Sequence, residues 1–333
     1  MPRDRGGADG VTRALACLAA ILIAGCSEEP VVQPMPRAFV DTSWPQRVEG
    51  VAMGQVTAVD VDEQNRVFVL QRGDRAWAEP FPTEPIAQDT VLVFDGQSGA
   101  LLDRWGAGQF VMPHGLSVDE EGKVWITDAA REQVYRYSPD GKLELTLGTR
   151  GVTGDDASHF GRPTDVLVYG DRVLVADGYR NGRVAIFDRN GSFIGQFGSE
   201  GSGKGQFAVP HSIALNGQAI LVADRENARV EVFDLDGGFV KAVPMPDGGR
   251  PYAVKRVGGG MLATLEGRDG QDREGAVLRI WSKDWKLDRT LDASPMSGPS
   301  RGHDFAVGPG GAIYMADVEA GRVAKIDLSM EGP

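Results

Sequence analysis

Apolar positions along most of this chain fall in short β-rich runs set apart by Gly, Asp and Asn, and the runs recur in groups of four. Met112-Pro-His-Gly-Leu-Ser-Val-Asp119 is followed by Val124-Trp-Ile-Thr-Asp128, Gln133-Val-Tyr-Arg-Tyr137 and Gly141-Lys-Leu-Glu-Leu-Thr-Leu147. The same order returns from Arg162-Pro-Thr-Asp-Val166 through Val173-Leu-Val-Ala-Asp177, Arg183-Val-Ala-Ile-Phe187 and Ser192-Phe-Ile-Gly-Gln-Phe197. It returns again from Val209-Pro-His-Ser-Ile213 through Ile220-Leu-Val-Ala-Asp224 and Arg229-Val-Glu-Val-Phe233. Fainter copies begin near Val56, Arg250 and Gly302, which makes six in all. Four short strands with turn residues between them are one propeller blade, and a lone blade leaves both faces unburied, so the copies must stack and the ring must close. The pattern predicts an all-β chain, a six-bladed β-propeller. The sixth copy ends after its third strand near Leu328, so residues around Phe39–Asp41 are expected to supply the missing outer strand.

Aligned at their first strands, the copies place Thr57, His114, Thr164, His211, Tyr252 and His303 at one phase. First strands line the channel of a propeller, so three of the chain's 4 histidines are expected at threefold positions around one axis. Imidazole is a common zinc ligand, and three such ligands with a vacant fourth position suit a catalytic metal better than a closed structural one. A His₃ set also accepts other divalent metals. His159 is off phase, in the loop Asp156-Ala-Ser-His-Phe160, and reads as structural.

Composition narrows the partners. The 45 glycines are about twice the usual share, as many tight turns require. A formal charge of −12 excludes a nucleic-acid surface, which needs clustered Lys and Arg. At the N-terminus, Arg3, Arg5 and Arg13 flank an apolar run, Ala14 to Ala24, that is too short to span a membrane and suits a signal segment. Its end, Ile23-Ala24-Gly25-Cys26, resembles the lipobox of bacterial lipoproteins. That resemblance implies a signal peptide at residues 1–25, a lipidated Cys26 as membrane anchor, a tether at 26–37 and a propeller at 38–333. The expected location is the bacterial cell envelope, on the periplasmic side or at the outer membrane. Cys17 leaves with the signal and Cys26 carries lipid, so the mature fold has no disulfide.

Several segments resemble a known family. Pro113-His-Gly-Leu-Ser-Val-Asp119, His159-Phe-Gly-Arg-Pro-Thr-Asp165, Asp177-Gly-Tyr-Arg-Asn181, Gly205-Gln-Phe-Ala-Val-Pro-His211 and Ala223-Asp-Arg-Glu-Asn227 look like the lyase domain of peptidylglycine α-amidating enzymes, a propeller of NHL-type repeats. The likeness runs from about Trp44 to Leu328. It implies a zinc-dependent lyase that splits a peptidyl α-hydroxyglycine into a peptide amide and glyoxylate. It further implies His114, His211 and His303 as zinc ligands, Tyr179 as base, and Arg72 and Arg225 as cationic pocket residues. A structural calcium is implied at the carbonyls of Val59 and Leu116 and the carboxylate of Asp304. The chain departs from the family at the paired cysteines of animal members, where it has Gly161 with Arg180 and Leu221 with Val232. It also has Arg301-Gly302 where the family has Met-Pro, which adds a charge beside the third histidine. Two other readings stay open: a non-catalytic surface propeller that binds a peptide or glycan with metal as a rivet, and, more weakly, a gluconolactonase-like enzyme.

Overall fold

A computed structural model describes residues 35–268, 275–295 and 297–331. The expected signal segment, Cys26 and most of the tether lie outside the described residues. The described strands form six antiparallel four-stranded sheets, five of them made of neighbours in sequence, plus one short parallel pairing of Ser199–Glu200 with Gln206–Phe207. No α-helix occurs among the described residues; Pro246–Gly248 and Gly258–Gly260 are single 3₁₀ turns.

From the channel outward, blade 1 comprises Val56–Val61, Arg66–Gln71, Val91–Asp95 and Leu101–Trp105. Blade 2 runs from Pro113–Val118 to Leu143–Leu147, blade 3 from Pro163–Tyr169 to Phe193–Phe197, and blade 4 from Pro210–Asn216 to Phe239–Pro244. Blade 5 spans Pro251–Arg256 to Leu287–Asp292. Blade 6 has only three strands of its own, Gly302–Val307, Ile313–Asp317 and Arg322–Glu331; Ala38–Asp41 pairs antiparallel with the last of them and supplies the fourth. Trp44, just past that closing strand, is buried against Phe94 of blade 1 and Tyr314 of blade 6, and so seals the seam where the ring meets itself.

Second strands such as Arg172–Asp177 are buried on both faces, which is why they read as continuous apolar runs. Between blades 2 and 3, Trp125 and Val134 pack against Val166, Val173, Val175 and Ala185. Each such side chain taken fully out of water contributes about 1.5–3 kcal/mol. Fourth strands face solvent, as in Leu143–Leu147, where only Leu147 is buried.

The Asp that ends the second strand has a mechanical role. Asp177 accepts from Arg183 Nε (2.9 Å), Asn181 Nδ2 (2.7 Å) and the backbone N–H of Gly161 (2.7 Å). Asp224 repeats this with Arg229, Asn227 and the N–H of Ala208. Asp128 takes the N–H groups of Val111 and Met112, and Asp317 takes that of Arg301. Each carboxylate thus pins the loop that leads into its own blade's first strand, where the phase residue lies.

Candidate metal centre and pocket

In every blade the ladder between first and second strands slips at the phase position: at Thr57, at His114-Gly115, at Thr164, at His211, at Tyr252 and at His303. A β-bulge re-aims a side chain and leaves its backbone groups outside the ladder. Both consequences are used here. His114 Nδ1 is 2.9 Å from the carbonyl of Thr164, His211 Nδ1 is 2.7 Å from that of Tyr252, and His303 Nδ1 is 2.6 Å from that of Thr57. Blades 2, 4 and 6 provide rings; blades 3, 5 and 1 provide the carbonyls that orient them. A carbonyl only accepts, so each Nδ1 carries the proton and each Nε2 keeps its lone pair. Gly115 lets blade 3 come this near, because a Cβ there would lie 2.2 Å from the Thr164 carbonyl oxygen.

The three rings form a nearly equilateral triangle, with centroids 4.8–4.9 Å apart. Each offers one ligand atom, all within 4.8 Å of one another, and all three residues are buried. Burial, then the neighbouring histidine and Arg72, holds His114 well below the usual imidazole range. His211 is lowered by burial and by Arg225, and His303 is pushed down to about 3 by burial and Arg72. Neutral, oriented imidazoles are the form that binds a metal ion, so the residues present fit one.

Arg72, Tyr179 and Arg225 each follow a second strand. Their backbone N–H groups bond back to Gln55, Arg162 and Val209, each two residues before a phase position, and this register sets them above the rings. Tyr179 Oη lies 3.0 Å from His114 Nε2 and 3.4 Å from His211 Nε2, and Arg225 Nη1 donates to it at 3.1 Å. Arg72 is almost fully buried; its Nε donates to the Pro113 carbonyl and its Nη1 to Gln55 Oε1, while Nη2 is buried without a partner. Burial pulls Arg72 down to about 10, which leaves it charged at neutral pH. A cavity of about 250 Å³ opens here, lined by Arg72, Trp77, Tyr179, Arg225, Tyr252 and Arg301, with His303 at its floor.

Trp77 and Tyr252 are pocket residues that the sequence reading did not assign. Trp77 stacks on Tyr179 with ring centroids 4.8 Å apart and lies beneath the Arg72 guanidinium. Its loop is clasped to blade 3 by a bidentate pair between Glu79 and Arg162. Arg225 sits over both Tyr179 and Tyr252. Arg301 pairs with Glu319 at 3.2 Å on the cavity wall. His159 bonds Asp156 in its own loop and takes no part in the site.

The implied calcium does not fit. Asp304 Oδ2 accepts the N–H of Val59, and its Oδ1 faces the ammonium of Lys255 at 3.8 Å. Calcium takes six to eight oxygen ligands at about 2.3–2.6 Å, and an ammonium beside its carboxylate repels it.

A family model described as a 6-bladed beta-propeller matches residues 152–248. Peptidyl-glycine alpha-amidating monooxygenase B of Xenopus laevis is 34% identical over 328 residues, covering 91% of this chain and 37% of that protein. A Caenorhabditis elegans protein named "Probable peptidyl-alpha-hydroxyglycine alpha-amidating lyase pgal-1" is 29% identical over 298 residues, 83% of each chain. This chain is a homologue of the peptidyl-α-hydroxyglycine α-amidating lyases. It spans about a third of the length of the vertebrate relatives, 30–37%. Among solved structures, a gluconolactonase of Xanthomonas campestris has a TM-score of 0.60 at 14% identity, covering 89% of this chain and 98% of that one, a likeness of fold alone.

Proposed function

We propose that this chain is a zinc-dependent carbon–nitrogen lyase that splits a peptidyl or N-acyl α-hydroxyglycine into the amide and glyoxylate. The observation that carries the reading is Tyr179: its phenol oxygen lies against two of three convergent imidazoles and accepts from Arg225, in a chain homologous to amidating lyases. His114, His211 and His303 would hold the metal through Nε2. When bound, zinc supplies Lewis acidity to the site.

The chain's own residues account for the rest. Arg72 lines the pocket with its Nη2 unpartnered and suits the glycine-derived carboxylate, a charge-assisted bond roughly twice as strong as a neutral one. Tyr179 acts as a phenolate whose Oη takes the proton of the substrate's hydroxyl group, and Arg225, which donates to Oη, stabilises that phenolate. As the C–N bond breaks, the C–O bond becomes the aldehyde of glyoxylate. The proton passes from Tyr179 to the departing amide nitrogen, which returns the side chain to the phenolate with which it began. Trp77 offers an apolar wall to the acyl portion. The small peptide-like substrate follows from what the homologues are named for.

Glyoxylate release from an N-acyl α-hydroxyglycine tests the reading. Tyr179→Phe should retain metal and lose turnover, and His211→Ala should lose both. Stoichiometric metal in a parent protein that releases no glyoxylate from peptidyl or acyl substrates would sink the lyase and leave a binding propeller with a metal rivet. We also propose that Cys26 carries lipid and anchors the chain in a bacterial envelope. Equal detergent partitioning of the full chain and its Cys26→Ser variant would refute this.

A further inference from the structure

The inner strands of all six blades run in one direction, so residues past the phase position step down the channel away from the pocket. Four charged side chains meet there. Asp165 and Asp304 follow Thr164 and His303 directly, and both line the small gap against the histidine rings. Asp60 and Lys255 come three residues after Thr57 and Tyr252, and both line the far mouth of the channel, a cavity of about 300 Å³. Lys255 Nζ is 3.8 Å from Asp304 Oδ1 and 3.9 Å from Asp165 Oδ2. The remaining carboxylate valences hold neighbouring blades: Asp304 takes the N–H of Val59 in blade 1, Asp165 that of Ile213 in blade 4, and Asp60 that of Val118 in blade 2.

We propose that the ammonium of Lys255 is the axial cation of this propeller and stands in for a bound calcium, so that the fold neither holds calcium nor needs it. One lysine from blade 5 then links carboxylates of blades 3 and 6, and these in turn accept backbone N–H groups of blades 4 and 1. A divalent ion does this job by gathering oxygens; a side chain does it with a charge that cannot be lost to solvent or to a chelator. The carboxylates of Asp304 and Asp165 within 4 Å give the buried ammonium its counter-charge. The inference does not depend on the reaction catalysed.

The test uses the whole protein in calcium-depleted buffer with zinc held constant, followed by calcium addition. The parent should contain no stoichiometric calcium by elemental analysis, and its Tm should not move when calcium is added. Lys255→Met should melt several degrees lower and regain Tm with calcium, while Lys255→Arg should stay insensitive to it. One equivalent of calcium in the parent, a rise of its Tm with calcium, or a Lys255→Met protein that melts like the parent would overturn the proposal. If Lys255→Met does not fold, the two measurements on the parent decide alone.

Discussion

The Asp that ends the second strand of blades 2, 3, 4 and 6 makes a quantitative prediction, sharpest at Asp177. Its carboxylate has no solvent exposure and accepts three hydrogen bonds, from Arg183, Asn181 and the N–H of Gly161. Asp177→Ala leaves the buried Arg183 without its counter-charge, a change that typically costs about 3–5 kcal/mol. Arg183 also donates to the carbonyls of Asp155, Asp156 and His159 and to Gln196, so the cost should fall at the low end, about 3 kcal/mol. Asp177→Asn keeps the shape and one acceptor, and should cost about 1–2 kcal/mol. In urea unfolding followed by tryptophan fluorescence, the midpoints should order parent, Asn, Ala. The site should feel the change too, because Gly161 leads through Arg162 and Pro163 to Thr164, whose carbonyl orients His114. Loss of such an outer partner usually weakens metal binding about 10-fold or more, measurable by competition with a chelating dye. An Ala variant with the parent's midpoint and the parent's metal affinity would show that the repeated Asp neither holds the blade nor tunes the site.

Three other outcomes follow. Deleting residues 35–43 removes the four-residue closing strand, worth about 4 kcal/mol at roughly 1 kcal/mol per ladder hydrogen bond, and should lower the urea midpoint accordingly; an unchanged midpoint would deny that the ring closes through this strand. Stripping metal should lower the parent's Tm and leave that of His211→Ala unmoved, since a ligand that binds only the folded state stabilises it by mass action; equal shifts in both proteins would place the metal elsewhere. Glu231 is buried, with neither carboxylate oxygen hydrogen-bonded and Arg229 Nη2 3.1 Å away, and burial pushes it up to about 7. A raised carboxyl stabilises the fold fully below its unfolded value near pH 4.5 and loses that contribution as pH rises to about 7, so Glu231→Gln should remove a fall of roughly 2–3 kcal/mol between those limits, read from urea midpoints against pH.

The repeat made the fold legible because every blade solves one packing problem with the same residues. Apolar second strands, an Asp at their end and Gly or Asn turns recur wherever a sheet must bury both faces, so even the absent fourth strand of the last copy pointed to Phe39–Asp41. The histidines were legible through their phase, since a bulge at one position in each blade aims equivalent side chains at one axis. Trp77 lay beyond this method. It sits in the long connection from Gly73 to Thr90, which has no period, and tertiary contacts such as the Glu79–Arg162 clasp and the bond from its backbone N–H to Gln55 Oε1 hold it over Tyr179. Lys255 did leave a signal, a cation on an inner strand at a position where other copies have Ser117, Leu167, Ala214 and Ala306. That signal gains its meaning once Asp304 is seen beside it, because the ammonium faces the carboxylate at which the resemblance implies calcium.

The site also explains which parts of the repeat are free to vary. A sixfold ring holds a threefold site because alternate blades divide two tasks at one bulge. In blades 2, 4 and 6 the side chain matters, and it is histidine each time. In blades 1, 3 and 5 the bulge contributes a backbone carbonyl, which any residue supplies, and the chain has Thr57, Thr164 and Tyr252 there. Tyr252 uses that freedom: its carbonyl orients His211 while its ring supports Arg225, so one residue serves the metal centre by its backbone and the pocket by its side chain. Substrate preference can therefore change at this position, as at Trp77 and Arg301, without disturbing the geometry of the three imidazoles.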